Sequence, residues 1–188
     1  FGMTYRPSGA HLLTLNFGCQ SDAPLARNSF VAPRMQNNFV DNLTNEQVFN
    51  AEAAYQFRFG NITGKLSGYY TRFNNGVEQT AFYNDQEESF TYLTMSGVVR
   101  WHYGLEAALK YQLTSNFSMS LTGTIAEAQY VNNPLAQVVY EGMNGATLQT
   151  LNRWTNPLTG EVMPLCVIAD GMRVSGTPLT ALSLGLNY

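Results

Sequence analysis

Apolar and polar side chains alternate along most of this chain with a period of two. Residues 1 to 6 set Phe1, Met3 and Tyr5 on one side, and residues 11 to 20 set Leu13, Leu15, Phe17 and Cys19 there. Between 48 and 59, Phe49, Ala51, Ala53, Tyr55, Phe57 and Phe59 oppose Asn50, Glu52, Gln56 and Arg58. From 62 onward, Ile62, Leu66 and Tyr70 oppose Thr63, Lys65, Ser67 and Thr71. The stretch 102 to 113 sets Tyr103, Leu105, Leu109 and Tyr111 against His102, Glu106, Lys110 and Gln112. Residues 117 to 125 and 181 to 188 repeat the pattern with Phe117, Met119, Leu121 and Ile125, then Leu182, Leu184, Leu186 and Tyr188. Successive strand side chains point to opposite faces, so the alternation predicts at least seven strands, each with one apolar and one polar face.

Tight turns test that parity, because residues opposite each other in a hairpin share a face. Gly60-Asn61 as a two-residue loop pairs Phe59 with Ile62 and Phe57 with Gly64, and glycine in first place suits a type II′ turn. Thr114-Ser115-Asn116 pairs Leu113 with Phe117 and Tyr111 with Met119. Pro7-Ser8-Gly9 as a three-residue loop pairs Tyr5 with His11 and Met3 with Leu13. A competing pattern exists at Thr44 to Gln47, which resembles a helix capping box leading into Val48, Ala51, Tyr55 and Phe59. The turn and matched partner strand that follow favour β structure there.

The connections are unequal. The tight turns alternate with long stretches, from about 21 to 46, 74 to 100 and 131 to 175, punctuated by Asn75-Gly76, Asn132-Asn133-Pro134 and Asn144-Gly145. In an up-and-down meander alternate connections lie at opposite ends, so all the short turns fall at one end. Strand extensions are expected within the second long stretch, at 77 to 83 and 89 to 95.

Composition then asks what the apolar face touches. Of 188 residues, 45% are hydrophobic and 13% aromatic but only 12% charged, about half the charged share usual for a soluble domain. The net charge of −3 is scattered, with no basic run to follow a phosphate backbone, which excludes nucleic acid as a partner. A soluble or surface-attached β-sandwich used for binding or adhesion would also alternate, with its apolar face in a core. Against it stand a polar face made mainly of Ser, Thr, Gly, Asn and Gln, strands of ten to twelve residues, and the placing of the aromatics. Tyr5, Phe57, Phe59, Tyr111, Phe117 and Tyr188 gather near the short turns, while Phe49, Tyr70 and Tyr103 lie eight to ten residues away on the same face. At ~3.4 Å per residue and ~40° of tilt that spacing is roughly 21 to 26 Å, the height of a hydrocarbon band between two aromatic girdles. The pattern favours an all-β, antiparallel, up-and-down transmembrane β-barrel segment whose apolar face meets outer-membrane lipid. Both readings stay open at this point.

The stretches "APLARNSFVAPR" (23 to 34), "NEQVFNAEAAYQFRFGNITGKLSGYYTRFNNGVEQ" (45 to 79), "HYGLEAALKYQL" (102 to 113) and "GTPLTALSLGLNY" (176 to 188) resemble the β-barrel of TonB-dependent outer-membrane receptors, especially those of Bacteroidetes-like Gram-negative bacteria. The order and spacing fit the later part of such a barrel, although Glu52-Ala53-Ala54 stands where Glu-x-Gly is expected. The resemblance implies a barrel of about 22 strands, of which this chain supplies about seven or eight. It also implies a plug domain inside the barrel, location in the outer membrane, and import of a scarce ligand (metal chelate, vitamin, glycan or peptide) driven by the TonB complex. Residues 1 to 188 are expected to be one partial barrel domain, with neither plug domain nor signal peptide among them.

Reactive chemistry is sparse. There is no nucleophile elbow, phosphate loop or metal-spaced cysteine pair, so no enzyme, cofactor or metal site is expected. Cys19 and Cys166 are too few for a disulfide framework. The cluster Asp85, Glu87 and Glu88 offers oxygen ligands of the kind Ca²⁺ takes, but reads first as a solvated loop tip. Arg100-Trp101 and Arg153-Trp154 pair a cation with an aromatic and are candidates for contact with an anionic or sugar-like ligand, against a plainer role in loop packing and interface anchoring. Glu52, Arg58, Lys65, Arg72, Glu106 and Lys110 are candidates to face the lumen and the plug.

Overall fold

A computed structural model describes residues 1–85, 88–141, 148–176 and 178–188. Glu87 of the acidic cluster and the Asn144-Gly145 pair therefore lie outside the described residues. Seven strands form an antiparallel meander: β1 (Gly2–Ser8), β2 (His11–Asp22), β3 (Glu46–Phe59), β4 (Ile62–Asn84), β5 (Ser89–Gln112), β6 (Ser118–Tyr130) and, after a long excursion, β11 (Thr180–Asn187). The region from Glu46 to Phe59 is strand throughout, so tertiary pairing overrides the local helix signal.

The register is set by turn chemistry. Gly60 has φ +52° and Asn61 does not enter the positive region, as a type II′ turn requires, and Phe59 pairs Ile62 and Phe57 pairs Gly64 as expected, with Gln56 opposite Lys65. At the next turn Leu113 and Thr114 both donate from backbone N–H to the Phe117 carbonyl, and Tyr111 pairs Met119. The first turn differs from expectation. Ser8 pairs His11 around Gly9-Ala10, and a bulge between Tyr5 and Ser8 restores Tyr5 opposite Leu13 and Met3 opposite Leu15. Proline at position 7 has no N–H to give to a ladder, so an irregularity there relieves the pairing. The observed partners are two residues from those expected, an even shift, which leaves every side chain on its assigned face.

The faces are consequently continuous across strands. Leu15, Ala53, Gly68, Leu105 and Ile125 form one transverse row of the apolar face, and Leu109, Leu121 and Leu184 belong to another. Thr14, Ala54, Ser67, Glu106, Thr124 and Ala181 make a row of the polar face. No second sheet covers the apolar face among the described residues: Leu182 is 79% exposed, Ile125 68%, Leu184 63% and Leu105 60%. This corrects the sandwich reading, because in a sandwich such side chains would form the core.

The long connections build a separate layer at the opposite end from the turns. Here β4 and β5 run on as a hairpin, β7 (Leu135–Glu141) takes over pairing with β5, and β8 (Leu148–Leu151) pairs β7. The expected extensions at 77 to 83 and 89 to 95 lie in this hairpin, with Tyr83 opposite Phe90. Asn75-Gly76, expected to be loop, instead interrupts β4 within the hairpin: the register shifts between Phe73 and Val77, Asn75 has φ +60°, and Gly97, between the partners of Val77 and Gly76, has φ +69°. A small ribbon joins β9 (Arg153–Thr155) to β10 (Val162–Pro164). The β2–β3 connection, with a 3-10 turn at Ala26–Asn28 and a Phe30–Phe39 bridge, packs over the layer. Val31, Ala32, Val40 and Val139 form its buried cluster, with Met35, Leu43, Val77 and Tyr92 against them. The only apolar core in the described residues that joins several segments thus lies in the loop layer.

Close backbone approach makes one polar-face glycine sensitive. A Cβ at Gly104 would stand 2.7 Å from the Ile125 carbonyl and 3.0 Å from the Tyr69 hydroxyl, whereas one at Gly9 would meet nothing within 4 Å. Gly104→Ala is therefore predicted to destabilise the folded protein by about 1–3 kcal/mol, read as a lower urea midpoint in detergent, and Gly9→Ala to change it by less than about 0.5 kcal/mol.

Candidate functional site

Two surfaces can meet a ligand or a partner: the polar face of the wall and the loop layer above it. On the wall, Glu52 stands between Asn16 and Tyr69, Arg58 opposite Thr63, Lys65 between Gln56 and Ala108, Glu106 between Ser67 and Thr124, and Lys110 between Thr63 and Ser120. All five share the polar face. None forms an ion pair among the described residues, although Lys65 and Glu106 lie on neighbouring strands only one row apart. Arg58 and Lys110 share the row nearest the short turns with Thr63 between them, so the turn end of this face is basic, and Glu106 and Glu52 follow toward the loops.

Arg72 does not join them. It stands in one row with Phe49 and Trp101, on the apolar parity of β4, so the expected lumen-facing position is corrected to the opposite face. Counting in twos from Ile62 leads to Tyr70 and then Arg72, with no irregularity before Phe73 to change sides. Its Nε donates to Asn74 Oδ1 at 3.0 Å.

The same geometry separates the first cation–aromatic pair. Arg100 and Trp101 are consecutive on β5 and point to opposite faces, so they cannot clamp one ligand. Trp101 packs edge-on against Tyr70 at 6.3 Å and Tyr103 at 6.2 Å between ring centroids, and its Nε1 donates to Gln129 Oε1 at 3.4 Å. Phe17, Tyr70 and Tyr103 lie one row away. This is an aromatic belt, with Trp101 as one of its anchors. At the turn end the matching group is Tyr55, Phe57 and Phe59, joined by His11, whose Nδ1 lies 2.7 Å from the Tyr55 hydroxyl.

Arg100 belongs to a network at the junction of wall and loop layer. One terminal nitrogen bonds Glu78 Oε1 at 2.6 Å, the other lies 3.7 Å from Glu46 Oε1, and the guanidinium sits 4.9 Å over the Phe73 ring. Tyr130 donates its hydroxyl proton to Glu78 Oε2 at 2.7 Å. Glu78 pairs with Met95 on the ladder, five residues from Arg100, so hairpin counting would not bring the two together. The chain irregularity between Phe73 and Val77 does, and it is the feature that sequence reading missed. Glu46, Asp22, Asn75 and Arg100 border a cavity of about 260 Å³ beside this network.

Arg153 and Trp154 sit on the exposed β9–β10 ribbon, and strand alternation again turns them to opposite sides. Arg153 lines a second, smaller cavity, and its side chain makes no hydrogen bond or ion pair among the described residues. Cys19 and Cys166 are free thiols. Among the described residues no group of three or more His, Cys, Asp or Glu is placed to hold a metal ion.

Against known proteins, the sequence model of the family described as "TonB dependent receptor-like, beta-barrel" matches residues 1–188. Neither the comparison with curated proteins nor that with solved structures finds a match. An antiparallel meander with one apolar and one polar face, short turns at one end and long loops at the other, together with a match over the full stretch, shows that this chain belongs to the TonB-dependent receptor β-barrel family.

Proposed function

We propose that this chain is a sector of the barrel wall of an outer-membrane receptor in a Gram-negative bacterium. In this reading its apolar face lies in lipid and its polar face lines the bore. The receptor takes up a scarce ligand in a process driven by the TonB complex, and a plug domain fills the bore. Family membership supports the receptor and transport role. The observation that carries the membrane reading is the uncovered aliphatic ladder, Leu66, Leu105, Leu109, Leu121, Ile125, Leu182 and Leu184, bounded by aromatic rows at both ends of the same face. From Trp101 to Tyr111 along β5 is ten residues, roughly 26 Å along the membrane normal at ~40° of tilt. Water would charge about 25 cal/mol for each Å² of that apolar surface, and lipid removes the charge.

The bore-facing charges Glu52, Arg58, Lys65, Glu106 and Lys110 are left without ion-pair partners by the wall itself. They are suited to meet complementary charges on a plug, carboxylates near Arg58 and Lys110 and bases near Glu52 and Glu106. Arg72, Trp101 and Arg173 then lie at the outer rim of the apolar face, where lipid headgroups begin.

Two outcomes follow. Leu109→Lys or Leu121→Lys is predicted to cost ~2–4 kcal/mol of folding free energy in a bilayer, whereas Thr124→Lys, opposite Glu106 on the polar face, costs much less; equal costs at both parities in urea titrations of vesicle-inserted protein would sink the reading. The polypeptide produced without detergent is predicted to aggregate, which light scattering measures, and a monodisperse chain melting cooperatively in plain buffer would restore the sandwich.

A further inference from the structure

On the apolar face, between two transverse rows of side chains, lies an open groove of about 610 Å³. Its floor is low because small residues meet there: Ala53 pairs Gly68, and Ala51 is the next residue on the same face of β3. Taller side chains stand around it, Leu15 and Phe17 on β2, Tyr70 on β4, and Tyr103 and Leu105 on β5. Packing rather than hydrophobicity decides what fills such a recess. Lipid tails are as apolar as leucine, so in a membrane the groove gains nothing merely by being covered. A methylene chain lying in it touches protein on three sides, where a chain on a flat wall touches it on one, and dispersion attraction grows with each contact.

The groove ends at the aromatic belt, where Tyr70 and Tyr103 both pack against Trp101. Arg72 stands in the Trp101 row, two residues beyond Tyr70 and so about 7 Å further along β4. It is exposed, its Nε donates to Asn74, and it forms no ion pair among the described residues. Its two terminal nitrogens make no hydrogen bond among the described residues either. The other charges at this end cancel. Glu127, which lines the groove, is held by Arg173 through contacts of 2.7 and 3.4 Å, so −1 and +1 give zero and the +1 of Arg72 remains.

An unanswered guanidinium beside an apolar trough describes its own complement. The planar fork of arginine matches two oxygens of a phosphate at once, and the trough takes a hydrocarbon chain. A phosphate joined to an acyl chain supplies both, and a membrane supplies such molecules at the height where the aromatic belt places Arg72. A second copy of this chain is a poorer occupant. A two-fold contact across the groove sets the same patch of each copy against the other, which brings two Arg72 charges together with no carboxylate to answer them.

We infer that this groove and Arg72 form a retention site for an anionic phospholipid of the surrounding membrane, its phosphate on Arg72 and one acyl chain along Ala51, Ala53 and Gly68. The inference rests on the membrane reading above and adds a specific lipid to it. The test uses the intact protein carrying this chain, delipidated in a non-ionic detergent and given either phosphatidylglycerol or the zwitterionic phosphatidylcholine, with bound lipid read by native mass spectrometry. Phosphatidylglycerol binds about fivefold more tightly, the scale of one arginine at an anionic membrane surface. Arg72→Gln brings the two lipids level, Arg72→Lys keeps most of the preference, and Arg34→Gln, an equal charge change at an exposed position of the loop layer, leaves it intact. Ala53→Leu, at an exposed position on the groove floor, weakens retention of both lipids. Equal binding of the two lipids by the unaltered protein, a preference that survives Arg72→Gln, or retention indifferent to Ala53→Leu overturns the inference. So does a dimer that Ala53→Leu dissolves, which gives the groove to a second copy, and so does displacement of the lipid by an equal concentration of inorganic phosphate, which reduces the site to a bare anion contact. Heat-modifiable migration of the same samples reports on the barrel separately: a heat-modifiable protein without lipid preference refutes the site and leaves the membrane reading standing, and one that never becomes heat-modifiable counts against both.

Discussion

The pairing of backbone amides from strand to strand governs everything else in this molecule. In β2 and β3 each residue from His11 to Asp22 has a partner from Phe57 back to Glu46 without a break, and β3 and β4 continue in the same way. In hydrocarbon no water can replace a missing partner, so such a ladder cannot lapse within the apolar band. Once it is continuous, side chains have no freedom to choose a face. A slip by one residue would carry Leu109 and Leu121 to the polar side and Lys110 and Ser120 to the apolar side together.

This explains why the protein keeps its two tasks in different places. The wall has almost no core: among the buried apolar residues only Ala54 and Ala128 lie on its regular ladder, both on the polar face. Its stability comes from the ladder and from the medium around it. The loop layer lies beyond that medium and holds itself together in the ordinary manner of soluble domains, with Val31, Val40 and Val139 buried and the Thr94 hydroxyl donating to the Val31 carbonyl. At the seam, the Arg100 bonds to Glu78 and Glu46 fix the hairpin relative to the wall, and the ladder's irregularity makes room for them.

The wall was legible in the sequence because period two is a strong, repeated signal and two of the tight turns fix their own pairings. The Gly60-Asn61 turn sets a register that thirteen pairs then obey. The first turn is not legible in this way, because proline, serine and glycine in sequence permit two loop lengths, and only the bulge between Tyr5 and Ser8 decides between them. Charge suggests a watery bore for Arg72, but its position two residues beyond Tyr70 puts it with the apolar set. Arg100 and Trp101 were grouped by adjacency, which on a strand guarantees separation. The loop layer was beyond reach for a different reason: Asp41 with Asn152, and Gln36 with Thr150, meet across more than a hundred residues, and no local pattern encodes such encounters.

Those long-range encounters also imply a sequence of events in time. The hairpins around Gly60-Asn61 and Thr114 to Asn116 close loops of only a few residues, so they lose little chain entropy on forming. Joining Asp41 to Asn152 or Gln36 to Thr150 requires the strands between them to be in place already. Maturation thus runs from the turn end upward, and the loop canopy is the last part of the molecule to become native.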